Sequence, residues 1–371
     1  MLERLYVHNF RCLENFEFKP GDRPSALLIG KNGSGKSTLA QALAVLQRIG
    51  RGVNRVGQLV TPDDCTLGRI SVPMRFELQL RLEGRLYVYA LALELPERFK
   101  ELRVLEEVLS TDHGVIYSRQ QAQVTVQRDV GKQREAQFNI DWHLVALTVI
   151  QDPAAAGALG RFRQWLASMV LLAPVPQLIS GEASAETLEP AHDAGNLADW
   201  LAGLLAQYPA AYATVSENVR RVMPDVADFR FERTGRDVKS LMVTFKEGAD
   251  QHELSFDSLS DGEKCFVLHA VVLAAHHHDG PLFVFWDEPD NYLSPSEVSH
   301  VVLGLRRAFH QGRGQILMTS HNEEAVRRFS NDTTWVLQRK SHLEPTTIRL
   351  LDELPPTADV IQSLLTGELE S

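Results

Sequence analysis

The sequence predicts an α/β fold: a sheet covered by helices, carrying an antiparallel β lobe and an inserted, mostly helical subdomain. Three observations predict it. Short apolar runs alternate with helical patterns through the last third of the chain, which is how a sheet covered on both faces is written. Residues 70–127 alternate apolar and polar side chains in the manner of half-buried strands. Near the N-terminus an apolar run, 25–29, meets a glycine-rich loop and then a helical pattern.

Taken in order, residues 4–8 and 16–18 read as half-buried strands, and Ser25–Ile29 as a buried one bounded by Pro24 and Gly30. A helix follows from Lys36 to about Arg48. Two strands, 70–82 and 85–95, meet near Gly84, and a further β-prone pair covers 104–127. From 141 to 225 the pattern turns helical, with Ala- and Leu-rich stretches broken by prolines. Alternation returns over 229–256. The last third then predicts a helix over 262–278, a strand over 282–286, a helix over 295–311, a strand over 315–319, a helix over 323–329 and a strand over 334–337. The expected domains are therefore 1–140, the N-terminal half of a head with its β lobe; 141–228, a helical insertion; and 229–371, the C-terminal half of the head.

Composition sets limits on function. The chain has 371 residues, 44% hydrophobic and 23% charged, enough for a sizeable core. It has no apolar run of the roughly 18 residues that a membrane helix needs. The N-terminus lacks the basic start and apolar stretch of a signal peptide, so a cytoplasmic location and no membrane partner are expected. Cys12, Cys65 and Cys265 are too scattered for a disulfide framework or a zinc site. A net charge of −10 argues against a globally basic nucleic-acid coat, although a local basic patch stays compatible with it.

Gly30-Lys31-Asn32-Gly33-Ser34-Gly35-Lys36-Ser37-Thr38 fits the Walker A phosphate loop without mismatch. Glycines let the backbone wrap phosphates and turn its N–H groups inward. The following helix aims its positive end at the same anion. Lys36 adds a point charge at the β and γ phosphates, and Ser37 offers a hydroxyl to Mg²⁺. Leu282–Glu288 is an apolar strand ending in two acids, a Walker B pattern. Asp287 suits Mg²⁺, and Glu288 suits the attacking water as base. The expected cofactors are therefore ATP and Mg²⁺.

Leu259-Ser260-Asp261-Gly262-Glu263 opens a helix. Ser260 and Gly262 sit at a helix N-terminus, a ready anion site, and Ser260 with Glu263 also spells a capping box. The pentapeptide resembles the ABC signature, whose serine and glycine contact the γ phosphate held by the other subunit. Thr319-Ser320-His321 resembles the ABC switch histidine. The order Walker A, signature, Walker B, histidine is that of the ABC ATPases.

The long span from Lys36 to Ser260 resembles the non-transporter branch, with RecF, the SMC proteins and the OLD nucleases. The opening Leu5–Leu13 resembles the start of that branch, which implies that Arg11 lies near the nucleotide. Residues 287–295 resemble a run of the compact AAA_21-type ATPases, with Ser294 in place of the usual histidine or aspartate, and 193–198 resemble another. Neither a long heptad array nor a nuclease domain is expected from the sequence. Gln177 and Gln151 are both candidates for the Q-loop glutamine. The resemblance implies a homodimer closing around two ATP, with Lys36, Glu288 and His321 catalytic, and a switch that controls a separate effector in prokaryotic anti-phage defence or DNA maintenance. A RecF-like DNA-binding repair ATPase and a nucleotide-gated scaffold with negligible turnover are the alternatives, so nucleic acid stays open as a partner.

Three other features read as structural. His276-His277-His278, at consecutive helix positions, cannot all face one ion and suit a solvated helix end. Arg48, Arg51 and Arg55 suit an exposed basic loop. The pairs Arg220-Arg221, Arg306-Arg307 and Arg327-Arg328 suit solvated helix faces.

Overall fold

A computed structural model of the protein describes residues 1–127, 135–151 and 157–354. The described residues divide into two compact units, one made of 1–23, 28–169 and 331 onward, the other of 24–27 and 170–330.

The first unit is dominated by an eight-stranded antiparallel sheet. In spatial order its strands are Phe16–Phe18, Leu2–His8, Met74–Leu82, Arg85–Glu94, Arg103–Thr111, Gly114–Gln120, Gln123–Gln127 and Glu135–Asn139. The alternation that predicts these strands also chooses their buried face, with Leu5 and Val7 beside Phe76, Leu78, Tyr87, Tyr89 and Leu91. Glu83 and Gly84 both have positive φ, the backbone a tight hairpin needs, which is why the join falls there. Where the sequence suggests a strand pair over 104–127, three strands form.

The helix Lys36–Gly50 packs its Leu39, Leu43, Leu46 and Ile49 stripe inward. It lies against the helix Ala158–Ala167, and Gln47 donates from Nε2 to the Met169 carbonyl at 2.6 Å. Sequence periodicity misses one anchor. Glu107 is fully buried and accepts hydrogen bonds from Tyr89 (3.2 Å), Tyr117 (2.7 Å) and the amides of Ala146 (2.7 Å) and Leu147 (2.9 Å). Arg119 stands 3.8 Å away and donates to the carbonyls of Gln121, Leu144 and Asp141. These bonds pin the segment at 141–147 to the sheet.

In the second unit the strand Val170–Leu172 pairs in parallel with Phe283–Trp286, which pairs in parallel with Gln315–Thr319. The Ile316 amide continues outward to the Pro24 carbonyl at 2.9 Å. The stretch expected to be helical from 141 to 225 therefore contains a sheet strand at 170–172. A three-residue buried run carries no period that separates strand from helix, which is why the pattern hides it. An antiparallel sheet of Glu182–Ala183, Val226–Arg233, Lys239–Glu247 and Asp250–Ser255 carries the alternation read at 229–256. The long helix Asp261–His278 is buried nearly all round, so an amphipathic stripe is barely visible in it. Among the described residues no helix is long and apolar enough to cross a membrane. Residues 355–371, read as the end of the head, lie outside the described residues.

Candidate functional site

In the first unit the loop Gly30–Gly35 leaves the strand Ser25–Ile29 and enters the helix Lys36–Gly50. Gly35 caps that helix at φ 107, in the left-handed region, and Gly33 has φ 79. No acid sits in the first helical turn, so the positive end of the helix meets no competing charge of its own. Lys36 is 7% exposed and donates to the carbonyls of Gly30 (2.7 Å) and Lys31 (3.3 Å), which holds its ammonium within the loop. The Ser34 hydroxyl is buried without a hydrogen-bond partner. An orphaned hydroxyl, a charged lysine and a glycine-lined curl together fit a polyanion such as a nucleotide phosphate chain. Asn32 and Lys31 are exposed on the loop, and Ser37 and Thr38 open the helix.

The loop has a floor that motif reading misses. Thr346 donates from Oγ1 to the Ser34 carbonyl at 2.9 Å, and its amide donates to the Cys12 carbonyl at 2.9 Å. A Cβ on Gly35 would stand 2.6 Å from Thr346 Oγ1 and 3.2 Å from Cys12 Sγ. No pattern near Thr346 announces this role, because it arises from the chain's return far downstream. Arg11 lies beside the same helix. Its guanidinium donates to Gln41 Oε1 at 2.7 Å and pairs with Asp64 at 3.0 Å.

In the second unit the apolar strand Phe283–Trp286 delivers Asp287 and Glu288 at its carboxyl end. Glu288 has φ 51, a left-handed conformation that re-aims its side chain. Its carboxylate accepts from Asn291 Nδ2 at 2.6 Å and lies 3.5 Å from His321 Nε2. The structure thus brings Asp287, Glu288 and His321 together. Ser294 caps the next helix through a box with Glu297, so here the replaced motif position serves as a helix start.

Ser260 likewise caps the helix Asp261–His278. Its Oγ accepts from the Glu263 amide at 3.4 Å and donates to Glu263 Oε2 at 2.7 Å. A Cβ on Gly262 would come within 3.0 Å of the Tyr292 carbonyl, so glycine lets the loop after Glu288 approach the signature turn. Gln177 donates to Asp261 at 2.6 Å, beside that turn, while Gln151 is merely exposed.

Behind the site, His269 stacks on Trp286 with centroids 4.4 Å apart, and its Nδ1 meets the Cys265 carbonyl at 2.5 Å. Burial lowers its pKa to about 4. The unfolded chain therefore binds more protons than the folded one between pH 4 and about 6.5, and stability falls as pH drops through that window. His269→Phe keeps a ring on Trp286 and removes the titration. We expect it to flatten the fall in unfolding free energy between pH 7 and pH 5, a fall of order 2 kcal/mol for a shift of this size, read by urea denaturation at the two pH values. An unchanged slope would place the titrating group elsewhere.

The remaining candidates are structural, with one correction. His276 is not solvated: it is buried, stacks on Phe309 at 4.1 Å, and accepts from the Leu282 amide at 3.2 Å. The two glycines packed on its ring explain how a histidine fits there. His278 bonds Thr214 at 2.8 Å, and the described residues contain no metal-ligand cluster. Arg51 bonds the Ala167 carbonyl and Arg55 pairs with Glu101.

The family described as "AAA domain, putative AbiEii toxin, Type IV TA system" (AAA_21) matches residues 25–327. No curated protein matches the sequence. Among solved structures, the Smc head bound to the C-winged helix domain of ScpA is similar at 14% identity and TM-score 0.51, covering 95% of this chain and 98% of that one. The SMC head domain from Thermotoga maritima has 15% identity, TM-score 0.46 and coverage of 94% and 98%. The Smc head with an extended coiled coil bound to the C-terminal domain of ScpA derived from Pyrococcus furiosus has 12% identity, TM-score 0.49 and coverage of 100% and 99%.

Proposed function

Because the chain belongs to the AAA_21 family and has the P-loop ABC-type fold of an SMC head, we propose that it hydrolyses ATP and works as a dimeric switch. The observation that carries the reading is the phosphate loop: a left-handed Gly35 cap, a buried Lys36 and an orphaned Ser34 hydroxyl at one helix N-terminus. Gly30–Thr38 wrap the phosphate chain and Lys36 neutralises it. Ser37 and Asp287 are the residues that would hold Mg²⁺, which would offset phosphate charge when bound. Glu288 takes a proton from the attacking water, with Asn291 and His321 orienting its carboxylate. Arg11 braces the helix that follows the loop through Gln41. Ser260 and Gly262 serve the nucleotide of a second copy, so ATP closes the homodimer and hydrolysis opens it. That motion drives a separate effector, in anti-phage defence or DNA maintenance.

The test is phosphate release by the purified chain with Mg²⁺ and ATP, with and without duplex DNA, alongside light scattering. We expect turnover, an ATP-dependent rise towards twice the monomer mass, and no DNA effect. Turnover that rises with DNA and falls steeply with salt would favour direct action on nucleic acid. Tight ATP binding with no phosphate release would make the protein a nucleotide-gated scaffold.

A further inference from the structure

The two acids of the second unit do not hold themselves in place. Thr319 ends the strand Gln315–Thr319 next to them and is completely buried. Its Oγ1 accepts a hydrogen bond from the Glu288 amide at 2.9 Å and donates to Asp287 Oδ1 at 2.5 Å. A hydroxyl has one proton and two lone pairs, so these two bonds have a fixed direction: the amide bond goes to a lone pair, and the proton goes to the carboxylate. The next residue repeats the grip. Ser320 Oγ donates to the buried Asp290 at 2.8 Å and accepts from the Asn322 amide at 2.8 Å. Two successive hydroxyls thus clamp the loop at its first acid and again three residues on.

We propose that Thr319 is a positioning residue for hydrolysis, its single hydroxyl setting Asp287 for the metal and Glu288 for water. The inference rests on the ATPase reading above. Glu288 sits at φ 51, where a side chain is strained, and its amide bond to Thr319 is what that conformation is tied to. Asp287 holds one oxygen against the hydroxyl, which leaves the orientation of the other determined. A valine at 319 would fill the same space while leaving the Glu288 amide without this acceptor and Asp287 without this donor.

The experiment compares the full-length parent with Thr319→Val and Thr319→Ser. Two quantities are read: steady-state ATP turnover, and the affinity of the ATP-bound protein for Mn²⁺, titrated by electron paramagnetic resonance. Thr319→Val should lower kcat about 10- to 100-fold with KM for ATP within about threefold, and weaken Mn²⁺ by about tenfold or more. Thr319→Ser, which keeps the hydroxyl, should recover both to within about threefold. Thr319→Ala replaces the valine variant should the latter fail to fold. Parent-like kcat and Mn²⁺ affinity in Thr319→Val overturn the proposal. So does a folded Thr319→Ser that recovers neither, because the loss is then one of packing. A parent that releases no phosphate sinks the hydrolysis reading by itself, and the Mn²⁺ titration then decides on Thr319 alone.

Discussion

Glu288→Gln should lower ATP turnover by about 10²–10³-fold while ATP binding survives. The glutamine has the shape of the glutamate but cannot take up a proton, so it removes the base and leaves the loop its size. Its side-chain oxygen can still accept from Asn291, which holds the carboxylate at 2.6 Å in the parent. The strained φ of 51 is set by the backbone and its bond to Thr319, neither of which the substitution touches. Nucleotide then stays uncleaved, and a dimer closed by ATP accumulates. Size-exclusion chromatography with light scattering, at micromolar protein and saturating Mg²⁺ and ATP, should show the variant at twice the monomer mass. A variant that stays monomeric there would remove the two-nucleotide dimer from the reading even if turnover is lost. Retained turnover would move the base to another residue, with His321, 3.5 Å from Glu288, the first to test.

Much of the proposed machinery is legible in the sequence because phosphate chemistry demands particular residues at fixed spacing. The loop at 30–37 and the acids at 287–288 lie on the expected strand and helix ends. What the sequence does not show is whatever depends on distant chain segments meeting. Thr346 has no motif around it, yet it forms the floor under Gly35. Thr319 reads as the last residue of a strand, and only its neighbour strand makes its hydroxyl matter. Burial misleads in the same way for His276. Three consecutive histidines read as a wet helix end, but aromatic stacking on Phe309 brings the first of them inside. In the fold, strands that alternate are legible, whereas the buried run Val170–Leu172 has no alternation to reveal it.

The glycines of the phosphate loop should separate into two kinds when each is changed to alanine. At Gly30 an added Cβ would overlap the Leu337 carbonyl oxygen, a backbone atom that cannot swing aside, and would crowd Ser34 Oγ. Relieving that overlap has to push the loop off the strand Thr334–Gln338, and with it the Gly30 carbonyl that accepts from Lys36. We expect Gly30→Ala to destabilise the chain by about 2–3 kcal/mol and to weaken ATP binding more than tenfold. Gly33 is different. Its φ of 79 strains any side chain, but an added Cβ meets nothing within 4 Å. Gly33→Ala should therefore lose only the left-handed penalty of about 1 kcal/mol and bind ATP within a few-fold of the parent. Isothermal titration with ATP and thermal melting of the two variants decide the matter. If both lose binding equally, it is the freedom of the backbone during nucleotide entry that matters, and the fixed contact with Leu337 is not the reason for glycine at position 30. If Gly30→Ala alone fails, the loop is a rigid cradle built before the nucleotide arrives, its amides already facing inward when the phosphates dock.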